Sequence, residues 1–543
     1  MKALFRVLIA ATITTAATGC ESFLDINENP NQATSQTPDA LLAAALTTTA
    51  ANYMGGGTNY NSYASFATGY WGKSGTVSGF TEEQTYNYSN TYYQALFNNT
   101  YDNLNNYELI QREGMTTGYP YHAAIARIMK VYNYLLLVDE YGDIPYTQAL
   151  KGITNTTPVY DKADVIYKDF IVQLKGAVAD INTADAVTPS VRSVGPEDVV
   201  FQGDMLKWKQ FANSLRLRIL LREYDSPAKA DAAAELTALQ GEVDGFITRD
   251  VVVQPGYATN ANQQNPFYNR YGFAVGVSRA TAEYSFILPT NYIIRQYVTN
   301  KDPRITQLYR VGQINNSGTT TATRGYVGTD LGEQQPPLFD PTDGATVGSR
   351  FLAPTNAVPL GGTFLRGSNA PTVLMLLSEH LFSKAEAEAR DLLMGGDAKA
   401  DFMDGIKASF QTTYRAAAVA PAMLAAPSTP TSPSSVPGVV QSEAYVNDNV
   451  ANPLVNFDLA TSKEAIILYQ KYLAENTLAS TEAWNDYRRT AQPKFEVSRR
   501  SASPRADKLP TRLIYPQTEV STNAANVPKG VDQFTKIFWD VLD

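Results

Sequence analysis

Cys20 is the residue with the most recognisable chemistry, since it is the only cysteine among the 543 residues. Lys2 and Arg6 introduce a run of apolar and small residues over 7–18, directly before Gly-Cys. A charged segment, a short apolar segment and small residues at a cleavage position are the order of a secretory signal peptide. The apolar run is shorter than the ~20 residues that a membrane-spanning helix needs. We therefore predict a lipoprotein signal peptide at 1–19 and lipidation of Cys20.

A lipid on Cys20 would hold the protein at a membrane, because each buried methylene of an acyl chain adds about 0.8 kcal/mol. The alternative is a plain secretory signal followed by a chance cysteine. Residues 20–37 are rich in acidic, Asn and Pro residues, which predicts an irregular tether. Acidic residues just after such a cysteine are similar to the surface-export signals of certain Gram-negative lipoproteins. We expect an outward-facing protein on the outer membrane.

Residues for catalysis are scarce. His122 and His380 are the only histidines, so a soft-metal site or a His-based triad has few candidates. Carboxylate pairs such as Asp139–Glu140 occur, but a glycosidase pair depends on a separation in space that adjacency in sequence does not give. We predict a binding protein without catalytic residues, cofactor or metal. A surface glycosidase is the alternative from another class.

The charge balance excludes another class of partner. The chain has 44 basic and 53 acidic residues, and loss of Lys2 and Arg6 with the signal leaves 42 − 53 = −11. This negative balance argues against nucleic acid or an anionic membrane surface as a partner. No second apolar run is long enough to span a bilayer. We expect contact with the membrane only through the lipid anchor.

Aromatic residues in loops are the candidates for ligand contact. Trp71 lies in a glycine-flanked stretch, and the segment from Asn265 to Tyr284 is rich in Tyr, Phe and Asn. Aromatic faces beside amide donors suit the apolar face and hydroxyl rim of a sugar. The alternative is that these rings pin the loops to the core. We expect Trp71 and one or more of Tyr268, Tyr271 and Tyr284 to converge on one exposed face. The predicted ligand-binding residues are Trp71, Tyr70, Tyr86, Tyr268, Tyr271, Tyr284 and Asn269.

The elements that position these residues are predicted to be mainly α-helical. Paired helical segments suggest tetratricopeptide-like hairpins, with long irregular stretches at 245–290 and 311–370 and a low-complexity loop at 416–440. We predict one domain over 38–543, with the irregular loops forming the ligand face. Apolar residues recur at helical spacing over 38–51, 91–110, from Pro120 onwards, 161–182, 205–224, 372–394, 461–474 and 480–490.

Five segments spread along nearly the whole chain stand out together: Cys20–Asn31, Val138–Tyr146, Trp208–Arg218, Glu482–Thr490 and Arg512–Glu519. Jointly they resemble the SusD/RagB family of outer-membrane lipoproteins. The resemblance implies a fold of four tetratricopeptide-like hairpins. It also implies a role in which the lipoprotein captures a glycan or peptide and passes it to a TonB-dependent barrel of the SusC type. Oligosaccharide is the leading ligand, peptide the second, and a scaffold that binds only proteins is a further alternative.

Overall fold

The computed structural model covers most of the folded part of the chain. The predicted signal peptide at 1–19, Cys20 and almost all of the 20–37 tether lie outside the described residues. The described residues are 36–74, 78–187, 190–273, 275, 281–315, 322–333, 348–352, 367–416, 419–429, 432–504 and 509–542.

Helices dominate the described residues, which confirms the mainly α class. The tetratricopeptide-like geometry of the hairpins stays a prediction. The helices are α1 Pro38–Met54, α2 Tyr60–Ala67, α3 Thr81–Thr85, α4 Gln94–Thr116, α5 Pro120–Tyr141, α6 Ala163–Ala186, α7 Met205–Glu223, α8 Lys229–Leu239, α9 Pro266–Tyr271, α10 Ala282–Phe286, α11 Asn291–Thr299, α12 Ile305–Leu308, α13 Leu377–Ala389, α14 Ala398–Tyr414, α15 Val439–Asp448, α16 Lys463–Glu475, α17 Ser480–Thr490 and α18 Gln517–Thr522.

The strands are short and tie loops to the helices. They form five two-stranded antiparallel pairs among the described residues: β1 with β5, β2 with β3, β4 with β10, β6 with β9 and β7 with β8. Their bounds are β1 Trp71–Lys73, β2 Ile144–Pro145, β3 Tyr160–Asp161, β4 Val251–Val253, β5 Ile287–Pro289, β6 Tyr309–Arg310, β7 Gly312–Asn315, β8 Ala322–Gly325, β9 Arg350–Phe351 and β10 Thr372–Met375.

Local signals explain where several helices begin. Pro38 and Pro120 each stand in the first turn of a helix, where the missing N–H costs nothing. The helix predicted over 372–394 starts later, because Thr372–Met375 forms β10 against β4. A short buried apolar run does not distinguish strand from helix by periodicity, and the β-branched Thr372 and Val373 favour the strand.

Consecutive helices fold back on one another around a shared core. The connection 117–119 joins α4 to α5, and these two helices pack together, as do α5 with α6, α6 with α7, and α13 with α14. One set of contacting buried apolar residues extends from Leu42 to Trp539. The irregular segments are therefore held on a helical scaffold rather than on a core of their own.

The loop predicted over 416–440 is largely irregular where the structure describes it. Its final two residues belong to α15, which begins at Val439. Gln411 on α14 donates to the Met423 carbonyl at 3.3 Å and accepts from the Ala425 amide at 3.0 Å. These bonds tie the described part of the loop to the scaffold.

The segments that carry the family resemblance meet in the interior. Arg218 on α7 pairs with Glu482 on α17 at 3.5 Å. Arg222, one turn further along α7, pairs with the same Glu482 and with Asp139 at the end of α5. Arg488 on α17 donates to the Asp139 carbonyl at 2.6 Å. All of these side chains are buried. Buried charges require partners of this kind, so these residues join three distant segments and belong to the scaffold.

Candidate functional site

Trp71 is fully buried, at 0% exposure, so its predicted place on an exposed face is wrong. Its indole Nε1 donates to Thr477 Oγ1 at 2.9 Å, and its ring lies 5.0 Å from the Tyr271 ring. The neighbouring glycine reflects close packing, since a Cβ at Gly72 would lie 2.4 Å from Thr329 Cγ2. Trp71 therefore belongs to the core beneath the loops.

The five tyrosines predicted as ligand contacts are buried as well, at 0–8% exposure: Tyr70, Tyr86, Tyr268, Tyr271 and Tyr284. The expectation that Tyr268, Tyr271 or Tyr284 shares an exposed face with Trp71 is therefore wrong. The Tyr70 hydroxyl donates to the Tyr472 carbonyl at 2.6 Å, and the two rings stack at 4.5 Å. The Tyr86 hydroxyl accepts from the Ser498 amide at 2.9 Å. Tyr271 packs against Trp71. Each ring is needed to fill the interior and each hydroxyl finds an internal partner, as is usual for a buried tyrosine.

Tyr268, Asn269 and Tyr284 lie on two short helices, where the two tyrosines are only 8% and 3% exposed and Asn269 alone is exposed. Asn265 caps α9 by accepting from the Tyr268 amide at 2.9 Å, and Asn269 on the same helix is exposed. Tyr284 lies on α10, and its hydroxyl donates to the Phe351 carbonyl at 3.0 Å. The two short helices contact each other. Burial, and then the nearby Tyr284 hydroxyl, raise the pKa of Tyr268.

Phe273 and Arg310 lie on either side of the Tyr284 ring. The ring of half-buried Phe273 lies 5.2 Å from the ring of Tyr284. On the other side, the Arg310 guanidinium lies 5.7 Å from the centre of the Tyr284 ring, within the range of a cation–π contact. Exposed Arg310 stands opposite Arg350 in the β6–β9 pair. We call Tyr268, Asn269, Phe273, Tyr284, Arg310 and Arg350 the aromatic–arginine face.

A second layer of rings supports this face from below. Tyr309 and Phe351, which stand opposite each other in β6 and β9, stack at 6.1 Å. Phe351 in turn lies 5.5 Å from Trp71 and 5.7 Å from Phe267. Side chains alternate along a strand, so these rings lie inward while the arginines next to them in sequence lie on the opposite side. The core aromatics thus position the outer face.

The chemistry of the face is that of a binding surface. The charged groups that act on the Tyr284 hydroxyl are Arg310 and Arg350, and they counter the rise in its pKa that burial causes. The nearby Glu283 pairs with Arg270 at 2.8 Å. Within the described ranges, no cluster of three or more His, Cys, Asp or Glu residues could hold a metal ion. The face offers rings, an amide and cations.

Two cavities lie elsewhere in the described part of the protein. One of about 310 Å³ lies beside the 416–440 loop and is lined by Lys207, Arg249, Asp250 and Val419 among others. Another of about 370 Å³ lies between helices and is lined by Lys130 and by the packed rings of Tyr134 and Tyr146. Lys207, Asp250 and Lys130 each have an ion-pair partner within the protein.

The family of the chain follows from its sequence as a whole. The SusD-like family model described as "starch-binding associating with outer membrane" matches residues 30–516. The chain belongs to this SusD-like family. Its members associate with the outer membrane, and the part of this chain that the structure describes has no helix long and apolar enough to cross a bilayer. No curated protein is significantly similar in sequence.

Solved structures share the SusD-like fold. A chitin-binding protein is 24% identical, with a TM-score of 0.69 over 92% of this chain and 100% of its own. A chitin-binding SusD homolog from Flavobacterium johnsoniae is 20% identical, with a TM-score of 0.67 over 92% and 98%. A SusD homolog from Bacteroides fragilis is 20% identical, with a TM-score of 0.68 over 94% and 100%. At these identities the likeness establishes the fold.

Proposed function

We propose that this SusD-like chain is a lipid-anchored cell-surface protein that binds oligosaccharide and delivers it to a SusC-like TonB-dependent transporter. The observation that carries the proposal is the aromatic–arginine face, supported on its inner side by the stacked rings of Tyr309 and Phe351. Asn269 and Arg310 are exposed there and Phe273 is half-buried. An amide, a cation and a ring are groups that recognise the hydroxyls and the C–H face of a sugar.

Family membership supports the glycan as ligand and the outer membrane as location. Two structurally similar proteins are named as chitin-binding. A binder tethered beside a pore raises the local concentration of its ligand there without breaking any bond. The chain therefore needs no catalytic residues for this role, and we propose that it has none.

Binding is tested by electrophoresis of the purified protein in gels that each contain one polysaccharide, from soluble starch and glycol chitin to pectin and carrageenan. At least one gel should retard the protein. Asn269→Ala should weaken that binding several-fold, by about 1 kcal/mol, because it removes one exposed hydrogen-bonding amide. The matched control is Asn447→Ala, which removes another exposed amide, on α15, and should leave retardation unchanged.

Two other outcomes would change the assignment. If no gel retards the protein and calorimetry shows that it binds casein-derived peptides, the peptide alternative would be favoured. Shortening of the bound oligosaccharide during incubation, abolished by changing one carboxylate, would place the protein among the glycosidases.

The anchor is tested by Cys20→Ala. We expect the variant to leave the membrane fraction, because Cys20 is the only cysteine and therefore the only site for this lipid. The measurement is the distribution of protein between washed outer membranes and the soluble fraction, in cells without the partner transporter. Cys20→Ala protein that still sediments with those membranes would contradict the lipoprotein assignment.

A further inference from the structure

Arg310 and Arg350 form an unusual pair. They stand directly opposite each other in the antiparallel β6–β9 pair, and their neighbours Tyr309 and Phe351 stack on the inner side. Residues directly opposite in such a pair have Cβ atoms about 4.5–5.5 Å apart and lie on the same side. The two arginine side chains therefore start from neighbouring positions on one side of the pair, and the Arg310 guanidinium lies over the ring of Tyr284.

Among the described residues, Arg310 and Arg350 have no ion-pair partner, whereas Arg304 pairs with Asp302 at 2.5 Å and Arg488 with Glu140 at 3.2 Å. Arg350 is only 7% exposed, and its Nε has no hydrogen-bond partner among the described residues. Like charges directly opposite each other in a sheet lower the stability of the fold. The positive pair also contrasts with the net charge of the chain, which is −9.

Burial, and then the nearby Arg310, lower the pKa of Arg350. An arginine nevertheless stays protonated in proteins, so the arrangement keeps two positive charges together. A buried donor without a partner costs free energy that a suitable acceptor would recover. The acceptor that matches two adjacent guanidinium forks is a planar or tetrahedral oxyanion.

We propose that Arg310 and Arg350 bind a carboxylate or sulfate group of the glycan, with half-buried Phe273 against the sugar ring that carries it. The preferred ligand is then an acidic oligosaccharide. This inference rests on the proposed function and adds to it the chemical class of the ligand.

The test is calorimetric titration of the full chain with three tetrasaccharides at low salt: tetragalacturonate, its carboxyl-reduced neutral counterpart and a sulfated carrageenan tetrasaccharide. At least one acidic sugar should bind about tenfold or more tightly than the neutral one, as expected for charge-assisted hydrogen bonds. Binding of tetragalacturonate identifies the anion as a carboxylate, and binding of the carrageenan tetrasaccharide identifies it as a sulfate. Added NaCl should weaken only the acidic complex.

Arg310→Gln should weaken the acidic complex about tenfold and leave binding of the neutral tetrasaccharide within about twofold. Because Arg310 is exposed, this variant is expected to fold, so it keeps the test valid where Arg350→Gln is unstable. The matched control is Arg324→Gln, which removes another exposed arginine on β8 and should leave every affinity unchanged.

Two results would overturn the inference. Equal affinity for the neutral and acidic tetrasaccharides, or acidic binding that Arg310→Gln leaves intact, removes the anion site while the oligosaccharide function stands. If no polysaccharide retards the protein in the gels and no tetrasaccharide binds, the proposed function and the inference are both overturned.

Discussion

Replacing Trp71 with Ala is expected to lower the free energy of unfolding by about 3–5 kcal/mol, the range for removing a large ring from a core. The ring is fully buried among Phe66, Tyr271 and Phe351, with centroid distances of 5.0–5.9 Å. Its loss also leaves Thr477 without the indole donor. Urea denaturation followed by circular dichroism measures the change, and the melting temperature should fall with it.

The control is Ile153→Ala, which removes an apolar side chain that is 96% exposed. It should change the stability by less than about 0.5 kcal/mol. A Trp71→Ala protein with wild-type stability and lost ligand affinity would contradict the buried position and support the exposed platform that the sequence suggested. We expect the reverse, namely reduced stability with ligand affinity retained in the fraction that stays folded.

The helical scaffold could be predicted because its signals are local. Pro38 and Pro120 mark helix starts, and apolar residues at helical spacing extend from each. The strand at Thr372–Met375 was not predicted, because its partner, Val251–Val253, lies more than a hundred residues away. Pairing over such a distance leaves no periodic trace in one sequence.

The site could be predicted only in part, because aromatic residues serve cores and binding faces equally well. Tyr271 and Tyr284 lie thirteen residues apart in the same aromatic segment, yet one packs against Trp71 and the other lies beside Arg310. The aromatic composition of the segment led us to predict both residues as ligand contacts. The two arginines were missed, since only the pairing of β6 with β9 brings residues 310 and 350 together.

Replacing Arg488 with Met is the second change expected to have a large effect, lowering the free energy of unfolding by about 3–5 kcal/mol at pH 8. The guanidinium is fully buried and donates to the carbonyls of Asp139 at 2.6 Å and Thr511 at 2.7 Å, and to Glu140 at 3.2 Å. It also lies 4.9 Å from the centre of the Trp539 ring. Methionine fills much of the volume but leaves Glu140 as a buried charge without its cation.

Matched variants separate the charge from the loss of packing. Arg112→Met removes an exposed arginine and should change the stability by less than about 0.5 kcal/mol. Adding Glu140→Gln to Arg488→Met should recover part of the deficit, because the double variant leaves no uncompensated charge on that residue. Equal stability of Arg488→Met and wild type at pH 8 would contradict a scaffold role for this residue.

The pH dependence gives an independent check on the same pair. Burial raises the pKa of Glu140 to about 7 even with Arg488 present, and removing that cation should raise it further. A carboxyl whose folded-state pKa exceeds its unfolded value, near 4.3, loses stability as the pH rises between the two values. The difference between wild type and Arg488→Met should therefore be largest at pH 8 and shrink towards pH 5, where Glu140 is protonated in the folded variant. A deficit that is the same at both pH values would mean that the lost carbonyl hydrogen bonds, rather than the charge on Glu140, dominate the effect.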